Sequence, residues 1–271
     1  MNLKEKIENN AFLGAILGDV VGSRFEWHNR KSKDFTMFHK EKCRFTDDSV
    51  LTISIMDSFN KGIQDNQDKV AKNMQEWAKS YPLCGYGANF KKWIYLDDPK
   101  PYNSFGNGSA ARISPVAFYA KDQEELDRYI YQFTAFTHNH EEGMKGARVI
   151  ANCVYKALHG ATKHEISEFA KGFYFLDFDY QDLVRNYGFD VSCQGSVPQA
   201  IYCFLISESL EDCLRTAVSI GGDTDTIAAI ACSIGAAYYD DPNNLLGQVK
   251  EFLEDLNKNV DDFKQLLLNR L

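Results

Sequence analysis

The sequence has no long apolar run, no excess of positive charge and no closely spaced pair of cysteines. Its apolar stretches are far shorter than the roughly 20 residues that cross a bilayer, so we expect no contact with a membrane interior. Lys and Arg number 30 against 38 Asp and Glu, a formal net charge of −8. This balance argues against nonspecific binding to nucleic acid or an anionic membrane, because both require clustered positive charge. A small anionic substrate stays compatible with it.

The cysteines and the first residues point to a reducing compartment. Seven cysteines are scattered without a C-x-x-C pair, and their number is odd. The first ten residues, MNLKEKIENN, lack the apolar core of a signal peptide. Reduced and mostly buried thiols are the ordinary state of such a chain, so we expect a cytoplasmic protein.

Helical periodicity dominates the sequence. The apolar residues of 13–20 fall on one helical face, and a second helix is predicted to begin near Asp47. Further helices are predicted over 67–80, 109–120, 123–136, 143–158, 196–206, 210–219, 225–239 and 244–268. Strand patterns are scarce, the best being Phe173–Phe178, and 97–108 and 177–195 are predicted loops. Residues 1–271 therefore predict a single all-α domain of helical hairpins around one core.

The first helix carries a glycine at every fourth residue, and these are Gly14, Gly18 and Gly22. A glycine inside a helix costs about 1 kcal/mol relative to alanine, so three on one face indicate the close approach of another backbone. The segment from Thr226 to Tyr239 is a second helix rich in small residues. Its predicted matching face consists of Ala228, Ala231 and Gly235.

Three acidic clusters lie at predicted helix ends. They are Asp19-x-x-Gly22-x-x-x-Glu26, Thr46-Asp47-Asp48-Ser49 and Gly221-Gly222-Asp223-Thr224-Asp225-Thr226. Thr and Asp are preferred N-caps and acids suit the first helical turn, so capping explains the second cluster at least as well as chemistry does. The third cluster has more oxygen-bearing side chains than a turn and a cap require.

Contact between the two small-residue helices would bring five carboxylates together. They belong to Glu26, Asp47, Asp48, Asp223 and Asp225. Carboxylates at such density repel one another unless a cation neutralises them. Ligand sets made only of oxygen suit Mg²⁺, Mn²⁺ or Ca²⁺, and this set is too large for one Mg²⁺ that keeps several waters. We therefore expect two metal ions.

Five blocks of sequence, taken in order, resemble the ADP-ribosylglycohydrolase family. The blocks are GAILGDVVGSRFEW (14–27), FTDDSVLT (45–52), FGNGSAARISPVAF (105–118), FTHNHEEGMKGA (136–147) and SIGGDTDTIAAIACSIGAAYY (219–239). The resemblance implies a compact, orthogonal, all-α helical bundle with two Mg²⁺ or Mn²⁺ ions in a cleft. The metal ligands that it implies are Thr46, Asp47, Asp48, Asp223, Asp225 and Thr226.

The chemistry implied by the resemblance is hydrolysis at the anomeric carbon of an ADP-ribosyl group, which releases ADP-ribose from a modified protein or other acceptor. Such a reaction passes through an oxocarbenium-like state. Glu26, Asp47 and Asp225 are the candidate catalytic carboxylates, one of which would move the proton. Asp19 is predicted to orient the ligands or cap backbone groups behind them.

Substrate roles also follow from the resemblance. Backbone N–H groups of the loop before a predicted helix would bind a diphosphate. The residues of that loop are Gly106, Asn107, Gly108 and Ser109. From the residues alone, an ordinary turn with a serine cap fits this loop better. His138 is a candidate for a hydrogen bond to phosphate or ribose and Tyr86 for stacking, with a structural histidine and a core tyrosine as the alternatives.

The sequence leaves open both the identity of the acceptor and the class of the reaction. Arginine-specific bacterial members of the family carry a catalytic aspartate between the second and third blocks. Here Tyr81–Phe90 contains no acid, and Asp97 and Asp98 lie further along the chain. The acceptor therefore stays open among arginine, serine, nucleic acid and small molecules. A Mg²⁺-dependent phosphohydrolase could use the same acidic cluster, and a catalytically silent ADP-ribose-binding or structural protein could keep the same fold.

Overall fold

The chain is almost entirely helical over residues 11–256, which are the residues that the computed structural model describes. A short 3-10 turn, Ala11–Leu13, precedes the first α-helix. The α-helices are α1 (Gly14–Gly22), α2 (Asp47–Asn60), α3 (Gln67–Ser80), α4 (Ala88–Trp93), α5 (Gly108–Arg112), α6 (Pro115–Tyr119), α7 (Gln123–Thr134), α8 (Glu141–Leu158), α9 (Lys163–Lys171), α10 (Tyr180–Asn186), α11 (Cys193–Ile206), α12 (Leu210–Ser219), α13 (Thr224–Tyr238) and α14 (Leu245–Leu256). The predicted all-α class is confirmed.

Most predicted helices lie where the periodicity placed them, and 67–80 and 210–219 coincide with α3 and α12. The predicted helix 109–120 is interrupted between α5 and α6. Pro115 explains the break, because proline has no N–H and restricts the residue before it. The predicted helix 244–268 begins as α14, and residues 257–268 lie outside the described part of the chain.

The strand predicted at Phe173–Phe178 is wrong. Its side chains do alternate, since Tyr174 and Leu176 are buried while Phe175 is exposed. The segment is nevertheless irregular, because none of residues 11–256 pairs with it in a ladder of hydrogen bonds. Among the described residues the only bridge of this kind is isolated and joins Gly106 to Ser192. The predicted loop 177–195 also contains a helix, α10, which Asp179 caps.

The packing of α1 against α13 is confirmed as the central contact of the fold. A Cβ atom built on Gly18 would lie 2.1 Å from the carbonyl oxygen of Ala228, which is backbone and cannot move aside. The face of α13 that meets α1 shares Ala228 with the predicted one but otherwise differs from it. It consists of Thr224, Ala228, Cys232 and Ala236, spaced by four residues.

Gly235 lies on another side of α13, where a built Cβ would meet the sulfur of Cys213 at 3.2 Å. Both sets have the spacing of one helical face, but the observed set repeats every four residues, as do Gly14, Gly18 and Gly22 against which it packs. Because Gly22 packs against Thr224, the C-terminal end of α1 adjoins the N-terminal end of α13. The first and third acidic clusters are thereby brought side by side.

Among residues 11–256, no helix combines the length and the apolar character needed to span a membrane.

Candidate active site

A cleft of about 650 Å³ opens where the N-termini of α2 and α13 meet. Most of the candidate residues line it, namely Glu26, Thr46, Asp47, Asp48, Gly106, Asn107, Gly108, His138, Asp223, Asp225 and Thr226. Both helices direct the positive ends of their dipoles at this cleft, which favours negative charge there. The acidic clusters and the glycine loop therefore form one site.

Asp19 ties α1 to the first turn of α2 from behind the cleft. Its buried carboxylate accepts hydrogen bonds from the backbone N and hydroxyl of Thr46, at 2.8 and 2.7 Å. It also accepts from the backbone N of Ser49 at 3.0 Å and from the Ser49 hydroxyl. Burial raises the pKa of Asp19, and these hydrogen bonds oppose the rise. Asp19 thus orients Thr46 without lining the cleft.

The first turns of α2 and α13 are joined directly. The Thr226 hydroxyl donates a hydrogen bond of 2.8 Å to Asp48 Oδ2. Thr46 is the N-cap of α2, and its side-chain oxygen accepts from the backbone N of Asp48 at 3.4 Å. Thr46 therefore caps α2, as the sequence predicted, and it also lies at the edge of the acidic cleft.

Asp223 is at the N-cap of α13 but makes no capping hydrogen bond. Its carboxylate instead accepts from Asn107 Nδ2 at 2.7 Å. Asn107 is itself fixed, because its backbone N donates to Val191 O at 2.8 Å and its amide contacts Ser196 Oγ at 3.0 Å. The glycine loop and the acidic cluster therefore keep a set distance from each other.

The carboxylates of Glu26, Asp223 and Asp225 form a compact acidic group at the cleft. One oxygen from each lies within 4.8 Å of the others. Asp225 Oδ1 is buried and has no hydrogen-bond partner, which is costly for a carboxylate oxygen unless a cation faces it. All of these donors are oxygens, the ligand type preferred by Mg²⁺ and Mn²⁺. The residues present therefore fit a divalent cation.

The pKa values of the cluster show the same need for positive charge. Burial, followed by the charge of Asp225, raises the pKa of Glu26 to about 7 and that of Asp47 to about 8. Burial raises the pKa of Asp223 to about 6, and the pKa values of Asp48 and Asp225 lie well above their usual range. Without a cation Asp47, Asp48 and Asp225 would therefore retain protons near neutral pH.

The loop that leads into Asp223 is hydrogen-bonded to the segment after Glu26. Gly221 and Gly222 have φ values of +74° and +76°, which favour glycine. Asn29 Oδ1 accepts from Gly222 N at 2.9 Å, while Asn29 Nδ2 donates to the carbonyl oxygens of Phe25 and Glu26 at 2.8 and 3.0 Å. Asn29 therefore links the backbone of Glu26 to the backbone that precedes Asp223.

Two predicted substrate residues lie behind the cleft wall. Tyr86 is buried and its ring packs on Phe90 at 5.5 Å, so the predicted stacking on a ligand is not available to it in this arrangement. The Ser109 hydroxyl donates to Gly143 O at 2.9 Å, inside the fold. The residues just before Tyr86 do reach the cleft, since Leu83 lines it.

Several lining residues escaped the sequence reasoning. Trp27 and Phe189 stack at the cleft with 5.3 Å between ring centroids, although 68% and 50% of their surfaces are exposed. Arg112 lines the cleft as a buried guanidinium. The position of Trp27 directly after Glu26 was a usable signal for the first of these. Arg112 stands in an otherwise small and apolar stretch, and an unexplained charge there was the signal for it.

Comparisons with known proteins identify related chains. The model of the ADP-ribosylglycohydrolase family matches residues 2–270. The chain is similar to the ADP-ribosylhydrolase ARH3 of Mus musculus, with 27% identity over 83% of this chain and 82% of that protein. It is 22% identical to the ADP-ribosyl-(dinitrogen reductase) glycohydrolase of Rhodospirillum rubrum over 93% of each chain.

A solved structure supports the fold. The ADP-ribosylglycohydrolase-related protein complex has a chain that aligns with a TM-score of 0.68 and 20% identity, covering 94% of this chain and 99% of that one.

Proposed function

The chain belongs to the ADP-ribosylglycohydrolase family, and from this we propose that it hydrolyses the glycosidic bond between ADP-ribose and a modified acceptor. The bond is that of the anomeric carbon of the distal ribose, and ADP-ribose is the product. The acceptor is an ADP-ribosylated protein or another ADP-ribosylated molecule. Relatives that are an ADP-ribosylhydrolase and an ADP-ribosyl glycohydrolase support a hydrolase of this class.

The observation that carries the proposal is the convergence of Glu26, Asp223 and Asp225, with one buried oxygen of Asp225 unpartnered. We propose that two Mg²⁺ or Mn²⁺ ions are held by the two helix N-termini, through Thr46, Asp47, Asp48, Asp223, Asp225 and Thr226. When bound, such ions supply Lewis-acid polarisation of the ribose hydroxyls and of the attacking water.

Glu26 is the proposed proton carrier. It is only half buried, whereas Asp48, Asp223 and Asp225 are buried. Its position at the edge of the cluster leaves it able to exchange a proton with the attacking water, as a general acid and base must. Water adds its oxygen to the anomeric carbon, and the bond to the acceptor breaks with its electron pair on the acceptor atom. The proton that water loses reaches the acceptor through the carboxylate, so charge and atoms balance.

Asp47 and Asp225 are the other candidate catalytic carboxylates, and here they serve to orient the reacting groups. The glycine loop, Gly106–Gly108, and His138 line the same cleft and are the proposed contacts of the diphosphate and ribose. Because Asn107 binds Asp223, a diphosphate held on this loop would lie at a set distance from the acidic cluster.

The compartment is part of the proposal. Six of the seven cysteines are buried and all seven are free, which suits a reducing compartment, and we place the protein in the cytoplasm.

The test uses ADP-ribosylated substrates modified on arginine, on serine and on nucleic acid ends, with Mg²⁺ or Mn²⁺ and a chelated control. Mass spectrometry follows the products. Metal-dependent release of free ADP-ribose establishes the hydrolase and names its linkage. Cleavage at the diphosphate would instead identify a phosphohydrolase. Binding of ADP-ribose without release from any substrate would identify a silent binding protein.

A further inference from the structure

Arg112 is a buried guanidinium with few partners. Only 1% of its surface is exposed, and its Nε has no hydrogen-bond partner. Its Nη2 donates to the Thr137 hydroxyl at 2.8 Å and, at 3.5 Å, to the carbonyl oxygen of Phe133. The short hydrogen bond to Thr137 is therefore the main polar contact that this side chain makes.

The hydroxyl of Thr137 has a single proton to donate. Since its oxygen accepts from Arg112, that proton goes either to Thr134 O at 3.4 Å or to His138 Nδ1 at 2.8 Å. A second arrangement, in which Nδ1–H donates to the other lone pair of the Thr137 oxygen, would leave the hydroxyl proton only the 3.4 Å contact with Thr134 O. Ordinary hydroxyl hydrogen bonds are about 2.5–3.0 Å long, so the geometry favours donation to His138 Nδ1. Nδ1 is then an acceptor without a proton of its own.

His138 is held as a neutral ring with a defined orientation. Burial and the nearby charge of Arg112 lower its pKa well below the usual range. The ring lies between two glycines, because a built Cβ on Gly106 would be 3.6 Å from His138 Nε2 and one on Gly143 would be 3.5 Å from His138 Cδ2. A neutral imidazole whose Nδ1 accepts carries its proton on Nε2.

We propose that Arg112 and Thr137 are positioning residues that fix the tautomer of His138, so that its Nε2–H donates to an oxygen of the bound ADP-ribosyl group. The oxygen belongs to the diphosphate or to a ribose hydroxyl, since either accepts from an N–H. The inference rests on the proposed function for its ligand, but the tautomer is a property of the free protein.

The test of the tautomer is long-range ¹H–¹⁵N correlation NMR on the full chain without ligand. The signal of His138 is assigned by its loss in His138→Gln. We expect a pyridine-type shift for Nδ1 and a pyrrole-type shift for Nε2. A proton on Nδ1 in the wild type, or a doubly protonated ring at neutral pH, would overturn the proposal.

Three threonine variants separate positioning from mere packing. Thr137→Val removes the hydroxyl at nearly constant volume and should shift the ring toward the other tautomer. Thr137→Ser retains a hydroxyl and should restore the wild-type shifts. Thr134→Val is the matched control, because the Thr134 hydroxyl is buried and unpartnered. Identical His138 shifts in all three variants would exclude a role for Thr137.

Binding of ADP-ribose by calorimetry is the second readout. Thr137→Val should weaken it about tenfold, the effect of one hydrogen bond to a charged group, while Thr134→Val should leave it unchanged. A wild-type protein that binds no ADP-ribose would overturn the proposed function and the substrate contact together. Normal binding by a ring protonated on Nδ1 would overturn the tautomer assignment alone.

Discussion

The hydroxyl of Thr226 donates a hydrogen bond of 2.8 Å to Asp48 Oδ2, although the two residues are 178 positions apart in the sequence. This bond joins the first turns of α2 and α13, so the two sets of acidic residues form one rigid unit. The same unit includes Asp19, which bonds the backbone and side chains of Thr46 and Ser49. Changes at any of these positions should therefore act on one shared site.

Replacing Asp47 and Asp225 together by asparagine should abolish metal binding and ADP-ribose release. The double variant removes two ionisable ligands but keeps their size, so the far-UV circular dichroism should be nearly unchanged. Isothermal titration with Mn²⁺ measures the binding. The control is Asp68→Asn, an exposed acid in the first turn of α3. Undiminished turnover in the double variant would rule out the proposed metal centre.

Millimolar Mg²⁺ or Mn²⁺ should raise the melting temperature above that measured with a chelator. A ligand that binds only the folded state stabilises it, by about 2.7 kcal/mol at a concentration 100 times its Kd. The double variant should show no such rise. Equal melting temperatures for the wild type in metal and in chelator would contradict a preformed centre.

Without metal, stability should fall as the pH rises through the raised pKa values of the cluster. Burial and mutual repulsion raise the pKa to about 6 for Asp223, about 7 for Glu26 and about 8 for Asp47. The folded chain therefore binds more protons than the unfolded one, and their stabilisation is complete below about pH 4 and lost by about pH 8. Melting temperatures in chelator measure this.

Metal should reverse the trend, because it binds the ionised carboxylates. The rise in melting temperature on adding Mg²⁺ should thus be larger at pH 8 than at pH 5. The Asp47 and Asp225 double variant should have a flatter pH profile in chelator. A wild-type profile in chelator as flat as that of the variant would show that the folded protein does not raise the pKa values of these carboxylates.

Gly18→Ala should destabilise the fold strongly. The added methyl group would meet the backbone carbonyl of Ala228 at 2.1 Å, and α1 would have to move away from α13. Overpacking of this kind costs about 3 kcal/mol. Gly188→Ala is the control, since a built Cβ there meets nothing within 4 Å. Thermal or urea denaturation compares the two, and similar stabilities would mean that the helices are not in close contact.

Asn29→Ala should weaken metal binding although Asn29 itself is not a proposed ligand. The amide of Asn29 links the backbone of Glu26 to Gly222, and supporting residues of this kind typically affect metal affinity 10- to 100-fold. Titration with Mn²⁺ measures the change. Asn186→Ala, which removes an exposed side-chain hydrogen bond on α10, should leave the affinity unaltered. Equal affinities in both variants would show that the hydrogen bonds of Asn29 are not needed for metal binding.

The helices and the acidic clusters were predictable because their signals are local. Periodicity of apolar residues defines α3 and α12, and runs of Asp and Thr mark helix starts wherever the helices pack. The strand predicted at Phe173–Phe178 failed because alternation reports a buried face and says nothing about a partner strand.

The surroundings of the site depend on tertiary contacts, and the sequence carried little information about them. Arg112 and Thr137 meet only after α5 and the segment following α7 have packed together. Gly235 is small enough for a helix interface, but it lies on the side of α13 that faces Cys213. Tyr86 is an aromatic residue of the kind that stacks on ligands, but it is buried in the core. Asn29 is unremarkable until Gly222 lies against it.

The contact of α1 with α13 also determines when the site can exist during synthesis. The bond between Thr224 and Gly22 spans 202 residues, so Glu26 cannot meet Asp223 and Asp225 until the segment that contains them has been synthesised. Contacts of such long range are slow to form. The proposed metal centre would therefore be a late product of folding, and a premature stop before residue 223 would remove Asp223, Asp225 and Thr226 from it.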